Sequence, residues 1–277
     1  MRKSCLIIGA AYSIGGAHIG NRRAPFFFRY HAKLPIQWHK IYWQDSTTLQ
    51  SYPNLLSSIK RTNRQLIHKI CQIRSHFKPI ILGGDHSCAI ATWQAVSSKP
   101  LGLLWIDAHF DSHIPETSFS HRLHGMPLAI LLNQGASGLY ERNNQVLHKQ
   151  HTVIFGVHSF ELAEIKLLTQ LGIRYYLMSE IHLRGFYQCF DEAWRLVSSA
   201  PHGFGVSLDL DSIDPCQMPA VSVRATQGLA FNHLLTAIKK QKKHQLKAIE
   251  IAEFNPYHQF HGNNVKKISQ LILALAK

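Results

Sequence analysis

Short apolar runs alternate along the chain with stretches whose apolar residues recur at helical spacing. Runs over 4–11, 78–82, 101–106, 152–156, 173–177, 203–208 and 246–252 are almost uninterrupted. They lack the in–out alternation of a half-solvated strand, so they read as parallel strands covered on both faces. Helices are predicted between them. One starts near Ser51 and Pro53 and carries a stripe at Leu55, Leu56, Ile59, Leu66, Ile67, Ile70 and Ile73, reaching to about Phe77. Others cover 88–96, with Ser87 placed to cap, 126–132, 161–171, 186–200, 231–244, with Asn232 placed to cap, and 263–276. Residues 21–50, aromatic and interrupted by Pro25 and Pro35, read only as a covering segment, and 133–150 as loop-rich. The strand–helix alternation predicts an α/β fold of three αβα layers, with a mainly parallel sheet and helices on both faces.

The polar residues that matter follow the apolar runs. The run over 101–106 ends in Asp107, His109 and Asp111, spaced by two. Side chains of an extended backbone alternate faces with that period, so all three point one way. The run over 203–208 ends likewise in Asp209 and Asp211, His86 follows 78–82, and Glu253 follows 246–252. In an open parallel sheet these carboxyl ends are where ligands bind. Because the residues concerned extend from 86 to 253, one catalytic domain over 1–277 is expected. The alternative for the aspartate groups taken alone is a solvated polar loop, and for His86 alone a structural histidine. Together, four aspartates and two histidines would repel without a cation, and they outnumber the ligands of one small ion. Two divalent ions sharing carboxylates fit them, with Mn²⁺ favoured and Fe²⁺, Co²⁺ or Zn²⁺ as substitutes. Such a pair lowers the pKa of a water molecule, which is hydrolase chemistry. A structural metal would sit in a closed, thiolate-rich shell.

Composition narrows the remaining classes. The chain has 277 residues, 45% hydrophobic and 17% charged, as globular proteins do. No run approaches ~18 uninterrupted apolar residues, so no membrane span is expected, and the apolar part of the first residues is short for a cleaved signal. The cysteines, Cys5, Cys71, Cys88, Cys189 and Cys216, form no Cys-x-x-Cys pair and read as reduced thiols of a cytoplasmic protein. The net charge of +14 includes basic clusters at Arg22-Arg23, 239–243 and Lys266-Lys267. No nucleic-acid-binding motif accompanies them, so they read as solvated faces and no nucleic-acid partner is expected.

The segments Gly83-Gly-Asp-His-Ser87, Asp107-Ala-His-x-Asp111, Ser207-x-Asp-x-Asp-x-x-Asp-Pro215 and Glu253-x-Asn-Pro256 resemble, in order and spacing, the signatures of the ureohydrolases. That superfamily comprises arginases, agmatinases and formimidoylglutamases, and the likeness is nearest to the arginases. The resemblance implies a homo-oligomer, trimer or hexamer, with two Mn²⁺ per subunit and a small guanidino or amidine substrate. His86, Asp107, Asp111 and Asp209 would hold one ion, and Asp107, His109, Asp209 and Asp211 the other. Asp111 would orient the attacking hydroxide, Glu253 would pair with the guanidinium or amidine, and His124 would shuttle a proton. His113, Ser120 and Glu161 match positions that contact the far end of the substrate. Asp85 and Asp214 read as turn, cap or supporting residues. Two departures bear on specificity: Val223 stands where arginases carry threonine, and Arg122 where they carry a small amide. Arg122 either offers a substrate carboxylate a partner, which suits arginine or formiminoglutamate better than agmatine, or disfavours a cationic substrate. The expected activity is that of an arginase, L-arginine to L-ornithine and urea, with formimidoylglutamase or agmatinase as alternatives and a metal-binding pseudoenzyme as the rival class.

Overall fold

The computed structural model describes residues 3–13, 15–16, 18–43, 52–135, 137–139, 145–258 and 263–277. Strand β1 (Ser4–Ala11) is followed by a 3₁₀ turn at Ile19–Arg23, α1 (Ala24–His31) and β2 (Gln37–Trp43). Then come α2 (Tyr52–Ile73), β3 (Phe77–Gly83), α3 (Ala89–Val96), β4 (Leu101–Ile106) and α4 (Pro127–Leu131). The second half holds β5 (Leu147–Val157), α5 (Leu162–Gln170), β6 (Arg174–Leu177), α6 (Met178–Arg184), α7 (Phe186–Ser198), β7 (Phe204–Asp209), α8 (Phe231–Lys240), β8 (Leu246–Ala252) and α9 (Asn263–Ala276).

The eight strands form one sheet in the order β2-β1-β3-β8-β7-β4-β5-β6. Every pairing is parallel. Alternate residues of each strand feed two separate cores. In β4, Leu104 and Ile106 join a cluster with Phe190 and Trp194 of α7, Leu234 and Ile238 of α8, and Ile268 and Leu271 of α9. Leu103 and Trp105 of the same strand join Leu66 and Ile70 of α2, Trp93 of α3 and Leu128 of α4. Layers of helix, sheet and helix result, as the unbroken apolar strands require. Two glycines permit close approaches: a Cβ at Gly205 would lie 2.0 Å from the Trp93 ring, and one at Gly84 would lie 1.9 Å from the Tyr12 carbonyl oxygen.

The central strands match the sequence-based expectations closely, and the differences have local causes. Residues 21–43 are not a shapeless cover. Pro25 sits in the first turn of α1, where its missing N–H costs nothing, and Trp38 and Ile41 pair β2 to β1. Strand β5 begins at Leu147, inside the stretch read as loop, and α6 was not anticipated. Ser87 does not cap α3. Its hydroxyl and amide both donate to the Asp85 carboxylate, which caps the 3₁₀ turn at His86–Cys88. The α8 start is closed by the Gln217 carboxamide, which accepts from Phe231 N at 2.8 Å, rather than by Asn232. Helix α2 ends at Ile73, short of Phe77, and Ser51 lies outside the described residues. No helix among the described residues is long and apolar enough to cross a membrane.

Candidate metal centre and substrate cavity

Sheet register assembles the site. Ile106 pairs with Leu208, which sets Asp107 beside Asp209. Asp209 pairs with Ala252, so Glu253 follows one step on, and Leu82 pairs with Ile251 from the other side. Residues far apart in the chain thus meet at the carboxyl ends of β3, β8, β7 and β4. Asp111 and Glu253 have φ of +49° and +64°. Such backbone is strained for residues other than glycine and is found where function demands a direction.

His86 is the hub. Its Nδ1 lies 3.1 Å from Asp107 Oδ2, 3.0 Å from Asp111 Oδ2 and 3.2 Å from Asp209 Oδ2. Its Nε2 meets Ser207 Oγ at 2.9 Å, and the ring stacks on Trp105 with centroids 4.1 Å apart. Trp105 Nε1 donates to Asp107 Oδ2 at 2.9 Å. A second group lies alongside, with His109 Nδ1 at 3.4 Å from Asp107 Oδ1 and 3.2 Å from Asp211 Oδ2. The amide of His109 donates to Asp107 Oδ1 at 2.7 Å, and that of Asp211 to Asp209 Oδ1 at 2.8 Å. Two sets, His86/Asp107/Asp111 and Asp107/His109/Asp211, have ligand atoms close enough to hold an ion, and they share Asp107.

The electrostatics say what the cluster lacks. Burial, then the charges of Asp211 and Asp107, raise Asp209 well above the usual carboxylate range. Burial and Asp107 push Asp111 up to about 7. Burial opposes ionisation of Asp107 too, yet His109 and His86 hold it far below its ordinary value. Burial likewise disfavours imidazolium, but the carboxylates around His86 and His109 raise both. One imidazole nitrogen cannot donate to three carboxylates at once. The buried Asp211 Oδ1 has no hydrogen-bond partner among the described residues. Four carboxylates of hard oxygen with two imidazoles, one oxygen unspent, and protons retained against repulsion form a donor set that fits divalent cations.

Next to it a cavity of about 200 Å³ is lined by His109, Asp111, His113, His124, Glu161 and Glu164, among others. Glu253 lies outside this lining, next to the lining residue His124. Its Oε1 accepts from His86 N at 2.9 Å, its Oε2 accepts from Asn21 Nδ2, and its own amide donates to Gly84 O at 2.7 Å. His124 Nδ1 lies 3.6 Å from Glu253 Oε1. Burial alone would lower His124, but Glu253 overrides it and lifts the ring to about 9. At the mouth, His113 Nε2 lies 3.6 Å from Glu161 and 3.5 Å from Glu164. Ser120 and Arg122 are exposed and fall outside this lining. Asp85 accepts from Gly16 N at 3.0 Å and from Ser87, and Asp214 accepts from Cys216 N at 2.8 Å, so both support turns.

Sequence reasoning gave no role to Asn21, Trp105 or Glu164, nor to Ser207, although Ser207 opens one of the motifs. Asn21 lay in the unread aromatic segment. Ser207 could have been found, since it lies two residues before Asp209 and therefore faces the same way. Glu164 carries a double signal: its carboxylate accepts from Ser112 N at 3.2 Å and from Glu161 N at 3.1 Å, closing a capping box at the start of α5.

Comparison with known proteins agrees with this geometry. A family model described as the arginase family matches residues 3–276. An arginase of Staphylococcus aureus is 26% identical over 98% of this chain and 96% of its own length. One from Bacillus caldovelox is 33% identical over 73% of this chain and 69% of its own. The crystal structure of arginase from Bacillus cereus superimposes with a TM-score of 0.90 at 26% identity, covering 99% of this chain and 98% of that one. A formimidoylglutamase from Bacillus subtilis shares the fold, with a TM-score of 0.78 at 20% identity. With a whole-chain match and a shared carboxylate between two His/Asp groups, the chain belongs to the arginase family.

Proposed function

We propose that this protein is an arginase, a hydrolase of the C–N bond of a guanidinium, which converts L-arginine to L-ornithine and urea with two Mn²⁺ bound. The observation that carries this reading is Asp107, one carboxylate serving both His86/Asp111 and His109/Asp211. His86, Asp107, Asp111 and Asp209 would hold one ion, and Asp107, His109, Asp209 and Asp211 the other. Bound divalent cations supply Lewis-acid activation of a water molecule. The rest falls to the chain itself. Glu253, held by His86 N and Asn21, presents a fixed carboxylate to the planar cation, a geometry suited to paired charge-assisted hydrogen bonds. Asp111, held in its strained backbone, turns its carboxylate to the reacting centre. His124 keeps Nδ1 toward Glu253, and Nε2 is the atom that exchanges a proton with the departing amine. Glu161 and Glu164 give the mouth a negative wall suited to the substrate ammonium, with His113 between them. One catalytic domain spans the chain, and the free thiols fit a cytoplasmic setting.

The same acidic mouth favours agmatinase activity as the second reading, because agmatine ends in an ammonium without a carboxylate. Formiminoglutamate, whose far end is anionic, fits it less well. The test is a panel of L-arginine, agmatine and formiminoglutamate offered to the Mn²⁺-loaded protein. Urea released from arginine with kcat/KM at least roughly tenfold above agmatine is expected. Ammonia or formamide release without urea refutes the assignment, and a preference for agmatine replaces it with the second reading.

A further inference from the structure

The pole of the sheet opposite the carboxylate cluster is cationic. There the amino ends of β1, β3, β4, β7 and β8 meet the carboxyl ends of α2, α3 and α9 around a cavity of about 770 Å³. Lys3, Arg74, Lys78, Lys99, Lys243, Lys247 and Lys277 line it, and no Asp or Glu does among the described residues. A bland purpose for such cations is to offset the negative ends of the helices. Each helix end carries about half an elementary charge, so three ends balance about one and a half of the four positive charges on Lys3, Arg74, Lys99 and Lys247 alone. The excess is large and held in place. Lys3 Nζ donates to Arg74 O at 2.6 Å, Arg74 Nη1 to Val96 O at 2.6 Å, and Lys243 Nζ to Gln241 O at 2.7 Å. An ammonium has three donors and a guanidinium five. Lys3 and Arg74 therefore each spend one bond on being positioned and have further donors.

The shape selects the ligand. A volume of about 770 Å³ lies inside the ~300–1,000 Å³ range of small-molecule sites. The charges line a concavity rather than a ridge or a helix face, which suits a compact anion and not a duplex. One orthophosphate would engage two or three of the cations and leave the rest repelling one another. No Phe, Tyr or Trp lies in the described lining to stack on a base. We propose that this cavity binds a compact polyphosphate anion, inorganic or the phosphate tail of a nucleotide, through Lys99, Lys247 and the pinned Lys3 and Arg74.

The full chain, dialysed free of unbound divalent ions, would be titrated calorimetrically with tripolyphosphate, orthophosphate, ATP and a short DNA duplex. Lysine acylation read by mass spectrometry would locate the contact. Tripolyphosphate is expected to bind about tenfold or more tighter than orthophosphate and to weaken as salt rises. It should shield Lys99 and Lys247 from acylation but not Lys166 on α5 or Lys239 on α8. ATP should match tripolyphosphate. The pair Lys99→Glu and Lys247→Glu should weaken binding about tenfold, and the pair Lys166→Glu and Lys239→Glu less than about twofold. Absence of binding at low salt, equal loss in both pairs, ATP tenfold tighter than tripolyphosphate, or a duplex that outcompetes it for the same lysines would each overturn the proposal. The footprint of the unmodified protein decides the matter even where a variant fails to fold.

Discussion

The two ends of the sheet use charge in opposite ways. At the carboxyl end, Asp107, Asp209 and Asp211 are buried within reach of two imidazoles, and like charges are forced together in a low-dielectric setting. At the amino end, Lys99 and Lys247 are exposed and the cations surround a wide opening. Crowding with burial perturbs protonation strongly, whereas exposure lets water screen. The lesson is that the sum of +14 describes neither end. What each can bind depends on where its charges sit and how dry they are.

The largest effect should come from the shared carboxylate. Asp107→Asn is expected to remove paired metal and to lower turnover by roughly a thousandfold or more, read as Mn²⁺ per chain by elemental analysis and urea release from arginine. Full metal content in that variant would erase the distinction between the ends. Glu253→Gln should keep the metal and lose about a hundredfold in kcat/KM, the equivalent of roughly 2–3 kcal/mol of charge-assisted hydrogen bonding. Metal loss in this variant would mean that Glu253 supports the cluster rather than the substrate.

Behind the cluster lies Glu250, fully buried, with Cys88 Sγ donating to its Oε1 at 3.1 Å. Burial pushes it up to about 7. An acid raised on folding is protonated in the native chain while the unfolded chain has already lost the proton. Its stabilising contribution is therefore complete below about 4.5 and declines as pH rises toward 7. Between pH 5 and 8, Glu250→Gln should gain stability relative to the parent, on the order of 3 kcal/mol, in urea melts of metal-free protein. A difference that does not change with pH would show that the interior behind the cluster is wet.

The smallest effect is expected on α6, next to the edge strand β6, where Arg184 bonds Glu180 at 2.7 Å in partial exposure. Burial raises Glu180, but the hydrogen bonds and charges of Arg174 and Arg184 together overcome it and hold the carboxyl below its usual value. The sign is opposite to that of Glu250: the contribution is full above the ordinary glutamate pKa and fades as pH falls through the lowered value. Glu180→Gln should shift the melting temperature at pH 7 by less than about 2 °C, and a larger shift would show that exposure alone does not mute a charge here.

Much of this was legible in the sequence where physics acts locally. Unbroken runs such as 101–106 declare a strand covered on both faces, and the spacing of Asp107, His109 and Asp111 fixes their common direction. A mainly parallel sheet and the six metal-ligand candidates followed from such patterns, and the structure shows every strand pairing to be parallel. Contacts made across the chain were not legible. Asn21 reaches Glu253 through a turn whose neighbours, Pro25 and the aromatics after it, hide the helix that positions it. Gln217 closes α8 from fourteen residues away, and no rule of local spacing reveals a cap supplied from outside the helix. Ser120 and Arg122 sit in the loop before His124, where backbone conformation rather than spacing decides which side chains face the cavity.

Strand β8 is almost the last element of the chain, yet it lies in the middle of the sheet, between β3 and β7. During synthesis on a ribosome, the earlier strands therefore emerge as two halves with a central gap. The half bearing His86 meets the half bearing Asp107 and Asp209 only once residues 246–252 have been made and released. Until that moment the nascent chain exposes unpaired edges on both sides of the gap, which invites association with other chains. A message truncated before this segment would yield neither half a catalyst nor a smaller stable protein, but material for quality control.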